Sequence, residues 1–401
     1  MPEVYVIGID GVRPLGDLAI QGLRDSKDIL FSQRLLELFS QYEISVELKE
    51  RCKVMGVTET LQFVRDTKDV CTVIASGDPM FFGIGAKTAE AAGNRKVHVL
   101  PAISSLQLAF SRVGVSWQDA FLMSLHGSTV REWELDDLPL LAERHPKIAL
   151  LTGGENNPAR IAGKLPPEAE VHVLARLGYN DESHTHKSAI EISAMEFAEP
   201  NVMVALIPVC KATVTGLRED EFRHEKGLIT KDEVRAVVLH ALNLPVHGVM
   251  WDIGSGSGSV AIEAKRVSPQ MQVHAIEKSS SRVEDIRANI VNLKAGAINV
   301  LKGEAPYALK ELPTPDRVFI GGSGDALTDV IAHSLETMEQ GGVVVVTAIT
   351  LESLEEAKRA FNSGGIEPNI SSLQISRSRE VGGRHYMKAE NQIFVIKGII
   401  K

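Results

Sequence analysis

The sequence predicts an α/β protein of two successive domains, the second of them nucleotide-binding and Rossmann-like. Three observations carry that prediction. Short apolar runs alternate with helical periodicity, and Gly- and Ser-rich turns follow the strands, where open α/β sheets place their ligands. A polar stretch rich in Thr, Arg and Glu over 211–226 interrupts this rhythm. The linker is expected at 215–226, between domains over 1–214 and 227–401. Beyond it, Val249-Met250-Trp251-Asp252-Ile253-Gly254-Ser255-Gly256-Ser257-Gly258-Ser259 reads as strand, glycine turn and helix start. Glycine permits the tight turn and lets backbone N–H groups approach a ligand closely. The next apolar run, Val273-His274-Ala275-Ile276, ends in Glu277, at the tip of the second strand where a carboxylate accepts hydrogen bonds from a ribose diol. A dinucleotide fingerprint spaces its glycines GxGxxG. Here the spacing is GxGxG with an Asp two residues ahead, which favours S-adenosylmethionine over NAD.

Bulk properties bound the answer. A chain of 401 residues and 43.6 kDa is long for a single core. Hydrophobic content of 44% with 24% charged residues is ordinary for globular proteins. A net charge of -9 gives no general attraction to nucleic acid or anionic membrane. No apolar run is long enough to span a bilayer, so neither partner is expected. The chain enters a strand with no basic head before an apolar segment, which reads as no signal peptide and a cytoplasmic location. Cys52, Cys71 and Cys210 are scattered and offer no disulfide framework. His184-Thr185-His186 holds two imidazoles but no third ligand at a recognisable spacing, and no metal is expected.

In order, the first domain reads as a strand over 4–9, the turn-rich loop Asp10-Gly11-Val12-Arg13-Pro14-Leu15-Gly16, and a helix opening at Asp17. A strand at 29–31, helices over 34–39 and 59–67, and an apolar strand over 69–75 lead into Ser76-Gly77-Asp78-Pro79. A helix through Ala92 and a strand over 97–100 reach the turn Pro101-Ala102-Ile103-Ser104-Ser105. Strands at 121–125, 147–151 and 171–175, with a helix over 159–165, precede a polar loop at 176–183. An edge strand or short helix within 188–195 and a strand over 202–209 close the domain. The second domain opens with a helix over 231–242, with Thr230 as N-cap and Glu233 three residues on. A helix over 282–293 keeps Val283, Ile286, Ile290 and Leu293 at helical period. Strands at 316–320, 341–347, 371–375 and 392–397, with a helix over 354–362, complete it.

At these residues a family resemblance enters. Residues 227–401 resemble the C-terminal methyltransferase module of cobalamin biosynthesis, through Gly227-Leu228-Ile229-Thr230-Lys231, the Trp251–Gly258 loop, Gly303-Glu304-Ala305-Pro306 and Phe319-Ile320-Gly321-Gly322. Residues 4–210 resemble the tetrapyrrole (corrin/porphyrin) methylase family, through Ser76-Gly77-Asp78-Pro79 with Gly83, Pro101 with Ser104-Ser105, and the Gly8–Gly16 loop. The resemblance implies an N-terminal tetrapyrrole-methylase-type αβ domain pair followed by a C-terminal class I methyltransferase domain. It implies two S-adenosylmethionine sites per chain, with S-adenosylhomocysteine as product, and a tetrapyrrole substrate, precorrin-6B or its cobalt form. That substrate would be methylated at C5 and C15 and decarboxylated on its C12 acetate arm. A homo-oligomer is expected. Ala102 stands where many relatives carry Gly, and Gln392 where they carry Pro, which bears on loop geometry rather than chemical groups.

Carried onto matching positions, the first cofactor site would comprise Gly8, Ser76, Gly77, Asp78, Met80, Phe81, Ser104, Ser105, Leu125 and Leu206. The second would comprise Thr230, Asp252, Gly254, Ser255, Gly256, Ser257, Gly258, Glu277, Glu304 and Ala305. Methyl transfer to an electron-rich ring carbon asks the protein to position, to exclude water and to remove a proton. Asp10, in the first loop, and Ser323, beyond a central strand, are candidates for contact with the reacting groups. Arginine suits the acid arms of the macrocycle. Arg379 and Arg384 with His385, beside Gly382-Gly383 and Arg377, are the candidate grip, on a loop that the glycines would let close. An RNA methyltransferase would use the same glycine turn, but the net charge and the absence of basic–aromatic interleaving argue against it. A fusion with only the C-terminal domain active is the other alternative.

Overall fold

The computed structural model describes residues 3–126, 135–208, 213–225, 227, 229–322 and 324–401. The chain divides into two compact units, Met1–Val130 with His145–Val209, and Arg131–Arg144 with Cys210–Lys401. The division differs from the expected one in two respects: the first unit ends at Val209, so that the expected linker falls within the second, and a segment from the middle of the first domain joins it. Residues 131–144 belong with the second unit.

In the first unit, β1 (Val4–Ile9), β2 (Asp28–Phe31), β3 (Cys52–Val54), β4 (Cys71–Ser76) and β5 (Val97–Leu100) form a parallel sheet in the order β3-β2-β4-β1-β5. Every residue of β1 is buried, as a strand covered on both faces requires. Alternation sends Tyr5, Ile7 and Ile9 to one apolar layer and Val4 to the other. A second sheet holds β6 (Phe121–Ser124), β7 (Lys147–Leu151), β8 (Glu170–Ala175), β9 (Ser183–Ser188) and β10 (Asn201–Leu206), in the order β6-β7-β10-β8-β9. Although last of these five in sequence, β10 lies in the middle of this sheet, antiparallel to both neighbours. Edge strand β9 falls mostly between the expected loop at 176–183 and the element expected within 188–195, and its sequence Ser-His-Thr-His-Lys-Ser carries no apolar side chain. Its pairing with β8 supplies what its composition lacks. The segment after it is a short helix, Ala189–Ile192.

The second unit is a three-layer sandwich. Its strands are β11 (Gly248–Ile253), β12 (Met271–Glu277), β13 (Ile298–Lys302), β14 (Arg317–Ile320), β15 (Val343–Ala348), β16 (Asn369–Leu373), β17 (Ser376–Val381), β18 (Arg384–Ala389) and β19 (Ile393–Ile399). Seven of them form one sheet, β13-β12-β11-β14-β15-β19-β16, with β17 and β18 apart as a hairpin. The first five in that order are parallel; β19 runs antiparallel to β15 and β16. Trp251 and Ile253 face helices Leu327–Thr337 and Leu351–Ser363, while Met250 faces Asp232–Leu242 and Ser259–Val267. The order reverses between β11 and β14, and a crevice opens beyond the carboxyl ends of strands at such a switch point.

Two segments strap onto helix Ser259–Val267. From helix Leu138–Ala142 and its flanks, Asp137 pairs with buried Lys265 at 3.0 Å and Glu143 with Arg266 at 3.1 Å. From the expected linker, the N–H groups of Gly216 and Leu217 donate to Glu263 at 3.0 and 2.6 Å, and Leu217 and Phe222 are buried. Residues 216–222 are therefore part of the second unit's packing rather than a free connection. The expected capping box also fails. Lys231 is the N-cap, with no side-chain cap bond, while Glu233 binds Arg377.

Candidate active sites

The second unit's cleft, 690 Å³, lies where the loops after β11, β12 and β14 meet. Gly254 has φ +69°, and a Cβ there would stand 1.9 Å from the carbonyl oxygen of Gly322, so these two loops close on each other only through glycine. Glu277, 4% exposed, accepts from Gly256 N–H at 3.0 Å through Oε2 and from Ser279 N–H at 2.9 Å through Oε1. It therefore holds the glycine loop as well as lining the cleft. Beneath the loop, Asp252 is fully buried. Its Oδ2 accepts from Ser255 Oγ at 2.7 Å and Ala261 N–H at 3.0 Å, and Oδ1 has no hydrogen-bond partner. Burial pushes its carboxyl up to about 6, the nearby Glu277 carboxylate adding to the shift against the two hydrogen bonds. The opposite rim is polar, with Thr350, Ser353, Glu390 and Asn391.

The first unit's cleft, 540 Å³, is walled by both of its sheets. The ends of β1 and β4 and the 103–105 turn face Ser124, His126, Thr152 and Asn201. Asp10, 7% exposed, accepts from the N–H groups of Val12 and Arg13, both at 2.9 Å, from Arg13 Nε at 3.0 Å and from Ile103 N–H at 3.3 Å. Burial alone would raise its pKa. The hydrogen bonds from Arg13, Val12 and Ile103 outweigh that and hold it below the ordinary carboxylate value. Burial, with Arg34 nearby, lowers the pKa of His126 and favours its neutral imidazole at the cleft.

These two sites sit in a chain whose relatives are recognisable. The tetrapyrrole (corrin/porphyrin) methylases match residues 27–192, and the precorrin methyltransferase domain matches residues 220–397. A Sinorhizobium sp. precorrin-6Y C(5,15)-methyltransferase (decarboxylating) is 32% identical over 407 residues, covering 95% of this chain and 92% of its own. The chain belongs to that family. A Salmonella typhi cobalt-precorrin-6B C(15)-methyltransferase (decarboxylating) is 36% identical over 175 residues, which is 43% of this chain and 90% of that one. A solved structure of precorrin-6Y C5,15-methyltransferase from Geobacter metallireducens GS-15 covers 47% of this chain and 100% of its own, at 35% identity and a TM-score of 0.46.

As a member of this family the chain is an S-adenosylmethionine-dependent, decarboxylating methyltransferase, and the second cleft fits that cofactor. A glycine cradle that any Cβ at 254 would fill, a carboxylate at the second strand tip, and the buried Ser257 hydroxyl, which has no partner among the described residues, together form a nucleoside-type donor set. Thr230, Gly254, Ser255, Gly256, Ser257, Glu277, Glu304 and Ala305 all line it. Asp252 does not. Its carboxylate lies below the loop and positions it. Gly258 does not either; at φ +79° it begins the helix, with the place of its Cβ against Ile286.

In the first unit Asp10, Ser76, Gly77, Asp78, Phe81, Ser104 and Ser105 line the cleft. Both oxygens of Asp10 are taken by the surrounding loop, so it positions rather than reacts. Four of the expected residues, two of them expected through the backbone around Leu125 and Leu206, are not among those lining the cleft. Gly8 packs under Gly77, where a Cβ would come within 1.9 Å of the Gly77 carbonyl oxygen. The Met80 side chain points out, 56% exposed. Leu125 is buried, with its neighbours Ser124 and His126 reaching the cleft instead. Because β10 runs antiparallel to β7, its start at Asn201 and Val202 faces the cleft and Leu206 sits at the far end.

The structure does not bring the expected arginine grip to the cleft. Arg379, Arg384 and His385 stand on the exposed β17–β18 hairpin and none lines the cleft. Gly382 and Gly383, with φ +58° and +75°, are the central pair of a two-residue hairpin turn rather than the hinge of a closing loop. Arg377 is held by Glu219 and Glu233. Ser323 lies outside the described residues. Sequence reading missed Arg282 and the Thr350–Ser353 rim, which no motif marks.

Proposed function

We propose that the chain carries two S-adenosylmethionine sites and acts on precorrin-6B or its cobalt form. The first unit would methylate C5. The second would methylate C15 and decarboxylate the C12 acetate arm, giving a precorrin-8-type product. The observation that supports this most directly is the presence of two clefts at the carboxyl ends of two separate parallel sheets, each in a unit matched by its own methylase family.

S-adenosylmethionine supplies an electrophilic methyl group, and the conjugated macrocycle supplies the nucleophilic carbon and the electron sink for loss of carbon dioxide. What remains for the protein is placement, water exclusion and proton removal. In the second unit Glu277 would accept from the ribose diol while keeping the Gly256 N–H in place, and the Ser257 hydroxyl would find its missing partner. In the first unit Asp10 would fix the two loops that face the cofactor, and His126 Nδ1 or Nε2 would take the proton released when the ring carbon is methylated.

The test is incubation of the purified chain with S-adenosylmethionine and precorrin-6B, with and without inserted cobalt, followed by mass spectrometry. Two added methyl groups and one lost carboxyl are expected. A single methyl addition, or calorimetry giving one cofactor site per chain, would refute the two-site reading.

A further inference from the structure

We propose that the β8–β9 edge of the first unit is a binding site for a first-row transition-metal cation of the zinc type, formed by Glu170 and His172 on β8 and His186 on β9. Register creates the site. His172 lies directly opposite His186, and alternation puts Glu170, His172, His184 and His186 on one face of the strand pair. One ligand atom from each of Glu170, His172 and His186 lies within 4.8 Å of the others. Glu170 Oε1 is 3.4 Å from His172 Nε2 and 2.8 Å from His186 Nε2, with the two imidazoles stacked at 12°. A tetrahedral cation at about 2.1 Å from each ligand holds them roughly 3.4 Å apart. Only the half-exposed His186 and Glu170 need to shift.

The buried His172 is the observation that asks for a ligand. It is 5% exposed, and among the described residues its Nε2 makes no well-aligned hydrogen bond; Glu170 Oε1 stands 3.4 Å away as an ion-pair partner. Its other nitrogen, Nδ1, meets His184 Nε2 at 3.0 Å. A metal-ligating imidazole engages its second nitrogen in this way, which fixes the ring and its tautomer. Lys187 projects to the opposite face, bound to Glu191, so it brings no competing positive charge to the cluster. Two imidazoles and a carboxylate suit zinc, nickel or copper rather than calcium or magnesium, and leave a fourth position for water. The site opens into neither active-site cleft. Its role is to tie β9, an edge strand with no buried side chain, to the body of the sheet.

The experiment uses the full chain, stripped with a chelator and titrated with zinc chloride by calorimetry, with cobalt(II) as a spectroscopic substitute. One zinc at this site per chain is expected, with a rise in the melting temperature of the first unit and the visible absorption of tetrahedral cobalt(II). Glu170→Gln and His186→Ala change half-exposed side chains, so their folding is not at stake. Each should weaken zinc binding by at least ~10-fold and abolish the cobalt(II) band. His184→Ala should weaken binding by about tenfold through the His172 ring it orients. Absence of stoichiometric zinc binding, or binding and cobalt(II) spectra unchanged in Glu170→Gln and His186→Ala, would overturn the proposal.

Discussion

Replacing Asp252 with Asn should remove a pH dependence that the glycine loop imposes on the second unit. In the folded chain the Asp252 carboxyl titrates near 6, against 3.8 for an ordinary aspartate, because burial disfavours its charge. Between those values the folded state holds more protons than the unfolded one, so stability falls as pH rises through this window. Above the folded value the penalty is complete. A shift of about two units corresponds to about 3 kcal/mol. Asn cannot ionise, so it should show no such fall. It adds a constant cost, since its amide would sit where Oδ1 has no partner. The variant should therefore gain on the parent by about 3 kcal/mol as pH rises from about 4 to about 7. The chain has three tryptophans, and Trp251 is fully buried beside Asp252. With Trp117 and Trp133 changed to Phe, its fluorescence during urea unfolding isolates the second unit. Taking the difference between variant and parent cancels the titrating groups that do not interact with Asp252, as Glu277 does. A difference independent of pH would refute the assignment of a buried, protonated Asp252.

Four further outcomes follow from the same geometry. Gly254→Ala should abolish cofactor binding in the second unit and leave the first unit's intact, as read by calorimetry, because its Cβ would meet the Gly322 carbonyl oxygen at 1.9 Å. Glu277→Ala should weaken that binding on the order of a hundredfold, since two loop N–H groups and the ribose diol lose one shared acceptor; unchanged affinity would contradict the role. Lys265→Met should destabilise the second unit by about 3–5 kcal/mol by leaving Asp137 buried without its cation. Adding Asp137→Leu should recover most of that in denaturant titrations, as burial outweighs pairing for both partners. Arg379→Ala and Arg384→Ala should change carbon dioxide release and methyl incorporation less than about twofold, the behaviour of exposed charges.

Local patterns made the buried strands legible. Val4–Ile9 and Lys147–Leu151 fall where apolar runs place them, and the glycine turn with Glu277 located the second cleft from sequence alone. What escaped was decided by partners distant in the chain. No periodicity in Ser183–Ser188 announces a strand, because β8 supplies its order. No spacing rule joins Glu170 and His172 to His186, since their proximity arises only from antiparallel register. The arginine cluster stands away from the cleft, since charge density in sequence does not reveal direction. The glycine pair that suggested mobility makes the tight turn of a hairpin, and Arg377 was already taken by Glu219 and Glu233. Leu206 failed for a topological reason, the reversed direction of β10, which no motif on that strand encodes.

The placement of residues 131–144 alters what it means to divide this enzyme. The backbone passes from the first unit to the second, returns, and crosses again near residue 209, so three covalent crossings join the halves where a simple tandem fusion has one. A protease that cuts only between 213 and 215 would leave a nicked protein that elutes as one species, because the Asp137 and Glu143 anchors stay seated on Lys265 and Arg266. A second-unit fragment lacking residues 131–144 would have to fold helix Ser259–Val267 without those anchors. Its buried cations, Lys265 and Arg266, would then be left without their carboxylates.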